Sequence, residues 1–148
     1  MKFLIINGVN LNLTGYREPE IYGSETLDEI NAKIAQYCEK QGDSADFFQS
    51  NAEGELCSAL HEAFFSKKYD GILLNAGAYS HYSYALRDAV QGITIPVVEV
   101  HMSNIGAREE FRKTSILSAV CAGTVFGFGA ASYIAGIAGL KVKREAGI

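Results

Sequence analysis

The chain has 148 residues, 48% hydrophobic and 20% charged, which is the size and composition of one globular domain with a real core and excludes a disordered chain. Thirteen Lys and Arg against 17 Asp and Glu leave a net charge of −4, a balance that argues against general nucleic-acid affinity, which needs basic clusters to displace counterions. No basic amphipathic surface helix stands out, so a membrane-surface role has little support.

Three widely spaced cysteines, Cys38, Cys57 and Cys121, with no C-x-x-C pair, fit reduced structural thiols in a cytoplasmic protein. The opening apolar run is too short for the core of a signal peptide.

In chain order, the first strand is expected over 2–7, where Phe3-Leu4-Ile5-Ile6 runs into Asn7-Gly8-Val9-Asn10. A long polar loop over 10–23 follows, of a length that in compact domains often serves as a lid. The first helix starts near Thr26, where Thr26-Leu27-Asp28-Glu29 matches a capping box and Leu27, Ile30, Ile34, Tyr37 and Cys38 recur at helical spacing. A second strand falls near 45–49. Asn51 then reads as the N-cap of a helix with Leu56, Leu60, Ala63 and Phe64 on one face. The third strand, 71–75, runs into Asn75-Ala76-Gly77-Ala78-Tyr79-Ser80-His81 and a helix over about 80–90.

The fourth strand, 95–100, runs into His101-Met102-Ser103-Asn104, and a short helix around 107–111 precedes a fifth strand near 122–126. Residues 116–140 carry no charge and are long enough to span a bilayer, but five glycines and several polar side chains interrupt them. They read instead as a buried strand, a glycine turn and a terminal helix over 130–146, partly covered by a partner subunit. The cations Lys141, Lys143 and Arg144 in the last turns suit that helix's dipole. Alternating strands and helices predict an α/β fold: a flavodoxin-like, doubly wound, five-stranded parallel sheet in a three-layer sandwich, with 1–148 as a single catalytic domain. In such a sheet ligands bind beyond the carboxyl ends of the strands. The polar residues that end the first, third and fourth strands should therefore meet.

Several of these residues suit chemistry. Glu99 and His101 are two apart on a strand and so leave the sheet on one face. A carboxylate in an apolar strand needs a partner, and pairing with His101 would orient the ring and keep it protonated, as a general acid requires. A structural pair at the sheet rim is the plainer alternative. In the long loop, Arg17 and Tyr22 stand out. A tyrosine titrates near pH 10 in water, and bringing it to neutrality takes about 4 kcal/mol of preference for the phenolate, part of which a nearby guanidinium can supply. The alternative is a surface loop in which Arg17 pairs with Glu18 or Glu20. The loop after the third strand could bring backbone N–H groups and the start of a helix to an anion, with His81 as a donor, or could be a tight turn capped by Ser80. Arg108 and Arg112, four apart, could face an acidic ligand or pair with Glu109 and Glu110.

His61, His81 and His101 are dispersed and form no metal-binding pattern, and His61 reads as structural. Gly127-Phe128-Gly129-Ala130-Ala131-Ser132 is a near miss to a dinucleotide fingerprint, with no strand after it to complete the unit.

Taken together, Asn7-Gly8-Val9-Asn10-Leu11-Asn12, Gly15-Tyr16-Arg17-Glu18-Pro19-Glu20-Ile21-Tyr22-Gly23, Asn75-Ala76-Gly77-Ala78, His81 with Arg87-Asp88-Ala89, and Glu99-Val100-His101-Met102-Ser103-Asn104 with Arg108-Glu109-Glu110-Phe111-Arg112 resemble the type II, metal-independent 3-dehydroquinate dehydratases. The resemblance spans essentially the whole chain, including the Gly127-Phe128-Gly129 turn and Tyr133. It implies a lyase of the shikimate pathway that dehydrates 3-dehydroquinate to 3-dehydroshikimate through an enolate, without cofactor or metal. It implies Tyr22 as base, Arg17 stabilising the phenolate, Asn10 positioning a water on the enolate, and His101, backed by Glu99, as acid. Asn75, His81, Met102, Ser103 and Arg112 would hold the substrate. Asp88 would reach the site of a neighbouring subunit, in trimers packed into a dodecamer. Val9, Thr14 and Tyr82 stand where the family usually has proline, leucine and threonine.

A second reading is a non-enzymatic flavodoxin-like module that binds a nucleotide or phosphate through the loop after the third strand. Such a module does not require the Tyr22, Arg17, Glu99 and His101 set.

Overall fold

The computed structural model describes residues 1–16 and 18–147, and the side chains of all of these except Pro19 and Tyr22. Five strands, β1 (Lys2–Asn7), β2 (Ser44–Gln49), β3 (Gly71–Asn75), β4 (Val97–His101) and β5 (Gly123–Phe126), form one parallel sheet in the order β2-β1-β3-β4-β5. This is the flavodoxin-like order expected from the alternating pattern. Asn7 pairs with Asn75 in register, so the polar ends of β1 and β3 lie side by side. Leu74 pairs with Glu99.

Strand side chains alternate between two cores. Leu4, Ile6, Ile72, Leu74 and Val97 pack with Leu56, Leu60 and Ala63 of α3 (Glu53–Ser66) and Leu86 and Val90 of α4 (Tyr84–Gln91). Phe3, Ile5, Leu73, Val98 and Val100 pack with Ile30, Ile34 and Cys38 of α2 (Leu27–Lys40) and Tyr133, Ile137 and Leu140 of α5 (Ala131–Ala146). Helices on both faces complete the three layers. At the start of α2 the capping box forms as expected: the Glu29 N–H donates to Thr26 Oγ1 at 3.3 Å, and the Thr26 N–H donates to Glu29 Oε2 at 2.7 Å.

The structure differs from the sequence reading where long-range contacts decide. The loop over 10–23 contains a 3₁₀ turn, Leu11–Leu13, and a short helix, α1 (Pro19–Tyr22). Ala52, not Asn51, occupies the N-cap of α3; the Asn51 Oδ1 instead accepts the N–H of Asn10 at 2.9 Å. The helix expected over 80–90 is split. Gly77–His81 forms a 3₁₀ turn, Ser80 is buried, and α4 starts at Tyr84 with Ser83 as its cap, its hydroxyl accepting the Leu86 N–H at 3.0 Å. The short helix around 107–111 is two 3₁₀ turns, Ile105–Ala107 and Glu110–Lys113, with Arg108 extended between them. β5 is an edge strand that is half exposed in the single chain, not a buried one, because nothing follows it in the sheet order. Among the described residues, no helix is long and apolar enough to cross a membrane. His61 lies exposed on α3, so it is not held in a core.

Candidate active site

The carboxyl ends of β1, β3 and β4 open into a cavity of about 100 Å³. Two backbones cross tightly at its floor. The Gly8 N–H donates to the Asn75 carbonyl at 2.7 Å, and a Cβ on Gly8 would stand 2.5 Å from the Ala76 carbonyl oxygen. Gly77, at φ +63°, would bring a Cβ within 2.7 Å of the Val9 carbonyl oxygen. Only glycine allows both the close approach and that backbone conformation. Asn10 also takes up a left-handed conformation, at φ 65°, one that Asn tolerates better than most residues.

Seven of the candidate residues line this cavity: Asn10 from the loop after β1, Asn75 and His81 from β3 and the turn after it, His101, Met102 and Ser103 from the end of β4, and Arg112 from the second 3₁₀ turn beyond it. Glu99 is fully buried behind them and accepts the His101 Nε2–H at 2.8 Å, with Oε1 as the acceptor. That leaves Nδ1 as the imidazole nitrogen not engaged by the carboxylate. Burial alone would raise the Glu99 carboxyl. The hydrogen bonds from His101 and Ser115 and the His101 charge outweigh it, so Glu99 is held below its ordinary value and ionised.

The His81 ring stacks on His101 with 6.1 Å between centroids. Burial is the main cause lowering the His81 value, and the charges of His101 and Arg112 add to it. His81 Nδ1 lies 2.9 Å from the Thr114 carbonyl, which can only accept, so Nδ1 carries a proton there and Nε2 is the ring nitrogen left for a ligand.

Asn75 is clamped. Its Nδ2 donates to Tyr133 Oη at 2.8 Å, its Oδ1 accepts the Gly77 N–H at 3.3 Å, and the Tyr133 hydroxyl donates to Asn7 Oδ1 at 2.6 Å. Tyr133 is wholly buried on α5, and burial raises its phenol, so it stays neutral and fixes which way the amide faces.

Arg108 also lines the cavity, and its Nη1 donates to Ser103 Oγ at 3.3 Å. Arg112 and Arg108 lie 2.9 and 3.6 Å from the Glu109 carboxylate, while Glu110 pairs with Lys113, and both arginines also line the cavity. Arg108 thus joins Arg112 at the cavity, as the four-residue spacing allows. Thr14, one of the departures from the family pattern, is buried at the cavity wall.

Three candidates lie elsewhere or beyond description. Asp88 sits exposed on α4, outside the cavity lining, 3.1 Å from Arg87. Arg17 and the side chain of Tyr22 lie outside the described residues, so their expected pairing does too. Among the described residues no cluster of His, Cys, Asp and Glu is arranged to hold a metal. The helix after β3 does not start at Ser80: α4 begins at Tyr84 and is capped by Ser83.

A cavity with a buried Glu–His pair on one side and two guanidinium groups on another suits a small, anionic, hydroxylated ligand that gains a proton. The family model for class II dehydroquinases matches residues 1–141. The 3-dehydroquinate dehydratase of Clostridium beijerinckii is 48% identical over 144 residues, covering 97% of this chain and 98% of the relative. That of Pelodictyon phaeoclathratiforme is 54% identical over 140 residues, covering 95% and 91%. The crystal structure of the type II dehydroquinase from Butyrivibrio crossotus superposes with a TM-score of 0.93 at 44% identity, covering 95% of this chain and 97% of that one. Family model, sequence and fold agree along nearly the whole chain, which therefore belongs to the class II dehydroquinases.

Proposed function

We propose that this chain is a hydro-lyase that dehydrates 3-dehydroquinate to 3-dehydroshikimate, acting as one catalytic domain over 1–148. The observation that carries the reading is the buried Glu99–His101 pair, bonded at 2.8 Å at the end of β4, where His101 lines a cavity shared with Asn10, Asn75 and Arg112.

In this reading Tyr22, its phenolate stabilised by Arg17, takes the proton from the carbon beside the ketone. The enolate that forms is held by a water positioned by Asn10. His101 then gives its proton to the departing hydroxyl, which leaves as water, and Glu99 holds the ring in place throughout. Asn75, with its amide fixed, His81, Met102 and Ser103 at the end of β4, and Arg112 hold the carboxylate and hydroxyls. The sum is an elimination of water with no change of redox state, so acid–base groups suffice.

Asp88 serves the site of a neighbouring subunit; its exposure on α4, outside its own chain's cavity, supports that assignment. Trimers assembling to a dodecamer would then complete each site, and the half-exposed edge strand β5 is a face such packing could cover. A place in the shikimate pathway follows from the reaction, and the reduced cysteines favour the cytoplasm.

The test is the absorbance of the conjugated enone when 3-dehydroquinate is added to the protein without metal or cofactor. Appearance of the signal is expected. Folded protein that gives none would leave the phosphate-binding module as the surviving reading.

A further inference from the structure

The turn over 114–118 has no part in the roles above, yet it is tied to His81 and to the carboxylate that holds His101. The Thr114 carbonyl accepts from His81 at 2.9 Å, the Ile116 N–H donates to the Ser80 carbonyl at 2.9 Å, and the Ser115 hydroxyl lies 2.6 Å from Glu99 Oε1. A serine hydroxyl has one proton and two lone pairs. Here the backbone N–H groups of Leu117, at 3.1 Å, and Ser118, at 3.2 Å, take up the lone pairs. The proton is left for an acceptor, and Glu99 at 2.6 Å is far better placed than the Ser80 carbonyl at 3.4 Å. Ser115 is therefore a fixed donor to the same oxygen that receives His101 Nε2–H at 2.8 Å.

This matters most when His101 discharges. The imidazolium charge then disappears, and a carboxylate with no exposure keeps its own. A donor already in place stabilises that lone anion more than it stabilises the ion pair, because a hydrogen bond to an uncompensated charge is stronger. We propose that Ser115 is a positioning residue that sets the acid strength of the Glu99–His101 pair, bonding the carboxylate while His101 gives up its proton. The proposal rests on His101 acting as the acid in the reading above.

Other groups face the pair from each neighbouring element. The His81 ring stacks on His101, and Arg112 lies beyond it. From β5, Thr124 Oγ1 stands 3.4 Å from the other carboxylate oxygen, a much weaker contact. The Cys121 thiol is pushed up to about 12, chiefly by burial, so it brings no charge. Ser80 is buried alongside; its hydroxyl makes no hydrogen bond of ordinary geometry among the described residues, yet it adds a smaller lowering effect on the Glu99 carboxyl than Ser115 does.

Two measurements on Ser115→Ala and Ser115→Thr test this: the pH dependence of turnover, and the imidazole nitrogen shifts of His101 against pH in substrate-free protein. Losing the donor should raise the upper ionisation of the pair by about one pH unit. A weaker acid should lower kcat by about threefold, with KM within about twofold. Ser115→Thr, which keeps a hydroxyl, should match the parent in both. An unshifted ionisation in the alanine variant overturns the proposal, and so does a threonine variant that titrates like alanine. If the alanine variant does not fold, Ser115→Cys, a weaker donor, should give a smaller upward shift, and no shift would count against the idea. Parent protein that makes no enone removes the acid role itself, while the substrate-free titration still reports whether Ser115 acts on the pair.

Discussion

Glu99 and His101 carry the argument residue by residue, because a fully buried carboxylate is tolerated only where donors converge on it. Glu99 takes two donors on one oxygen, from His101 at 2.8 Å and from Ser115 at 2.6 Å. On the roles proposed above, His101→Ala removes the acid and leaves the base. Loss of hydroxide from the substrate should therefore stall by about a hundredfold or more, while hydrogen exchange beside the ketone, followed by mass spectrometry, falls far less. An equal loss of both steps would argue against a purely acidic role. Tyr22→Phe should abolish turnover yet still bind substrate by calorimetry, since only the phenol oxygen is removed; near-normal turnover there would mean that another group is the base. Glu99 and His101 could be singled out in the sequence because a two-residue spacing on a strand fixes a shared face. Ser115 could not, because nothing local says that it reaches the carboxylate.

The elements place these side chains through two close crossings, one of which gives a direct test. Gly8→Ala would set a Cβ 2.5 Å from the Ala76 carbonyl oxygen, and backbone cannot yield as a side-chain tip can. The ends of β1 and β3 must then part. Stability should fall by about 1–3 kcal/mol in urea titration, with kcat/KM falling as well because Asn10 and Asn75 hang from those two ends. Unchanged stability would show that the two loops do not touch. At the start of α4, Ser83→Ala should lower stability by about 1 kcal/mol through loss of its cap, whereas the sequence had pointed to Ser80 for that role. Both serines precede the same amphipathic stretch. Ser80 is fully buried within a 3₁₀ turn, and the helix starts only after it.

For the molecule as a whole, charges close the fold across its length. Asp43, its side chain 5% exposed, lies between the N-terminal ammonium of Met1, at 2.6 Å, and Lys141 of α5. Burial opposes its ionisation, but the bonds to Lys141 and the terminus outweigh that and hold it below the usual carboxylate range, as happens to Glu99. Such groups stabilise the folded chain fully above their unfolded values, near about pH 4, and that stability is lost as the pH falls through their lowered folded values. His81 is lowered as well, so its contribution is complete above about pH 6.5 and begins to fade below it. Urea midpoints should therefore start to drop mildly below about pH 6.5 and steeply below about pH 4. A midpoint that held level from pH 7 to pH 4 would mean that His81 is not kept neutral by its surroundings.

Short-range pattern was enough for much of this protein. Apolar runs marked β1, β3 and β4, the Thr26–Glu29 box marked the start of α2, and the polar residues just past each run marked the cavity rim, because each signal lies within a few consecutive residues. The rest came from contacts between distant segments. The exposure of β5 follows from its place at the sheet edge, the orientation of the Asn75 amide from a tyrosine 58 residues away, and the second donor on Glu99 from a turn 16 residues on. A hydrogen bond across such a separation depends on where the chain returns in space, and no local periodicity records that.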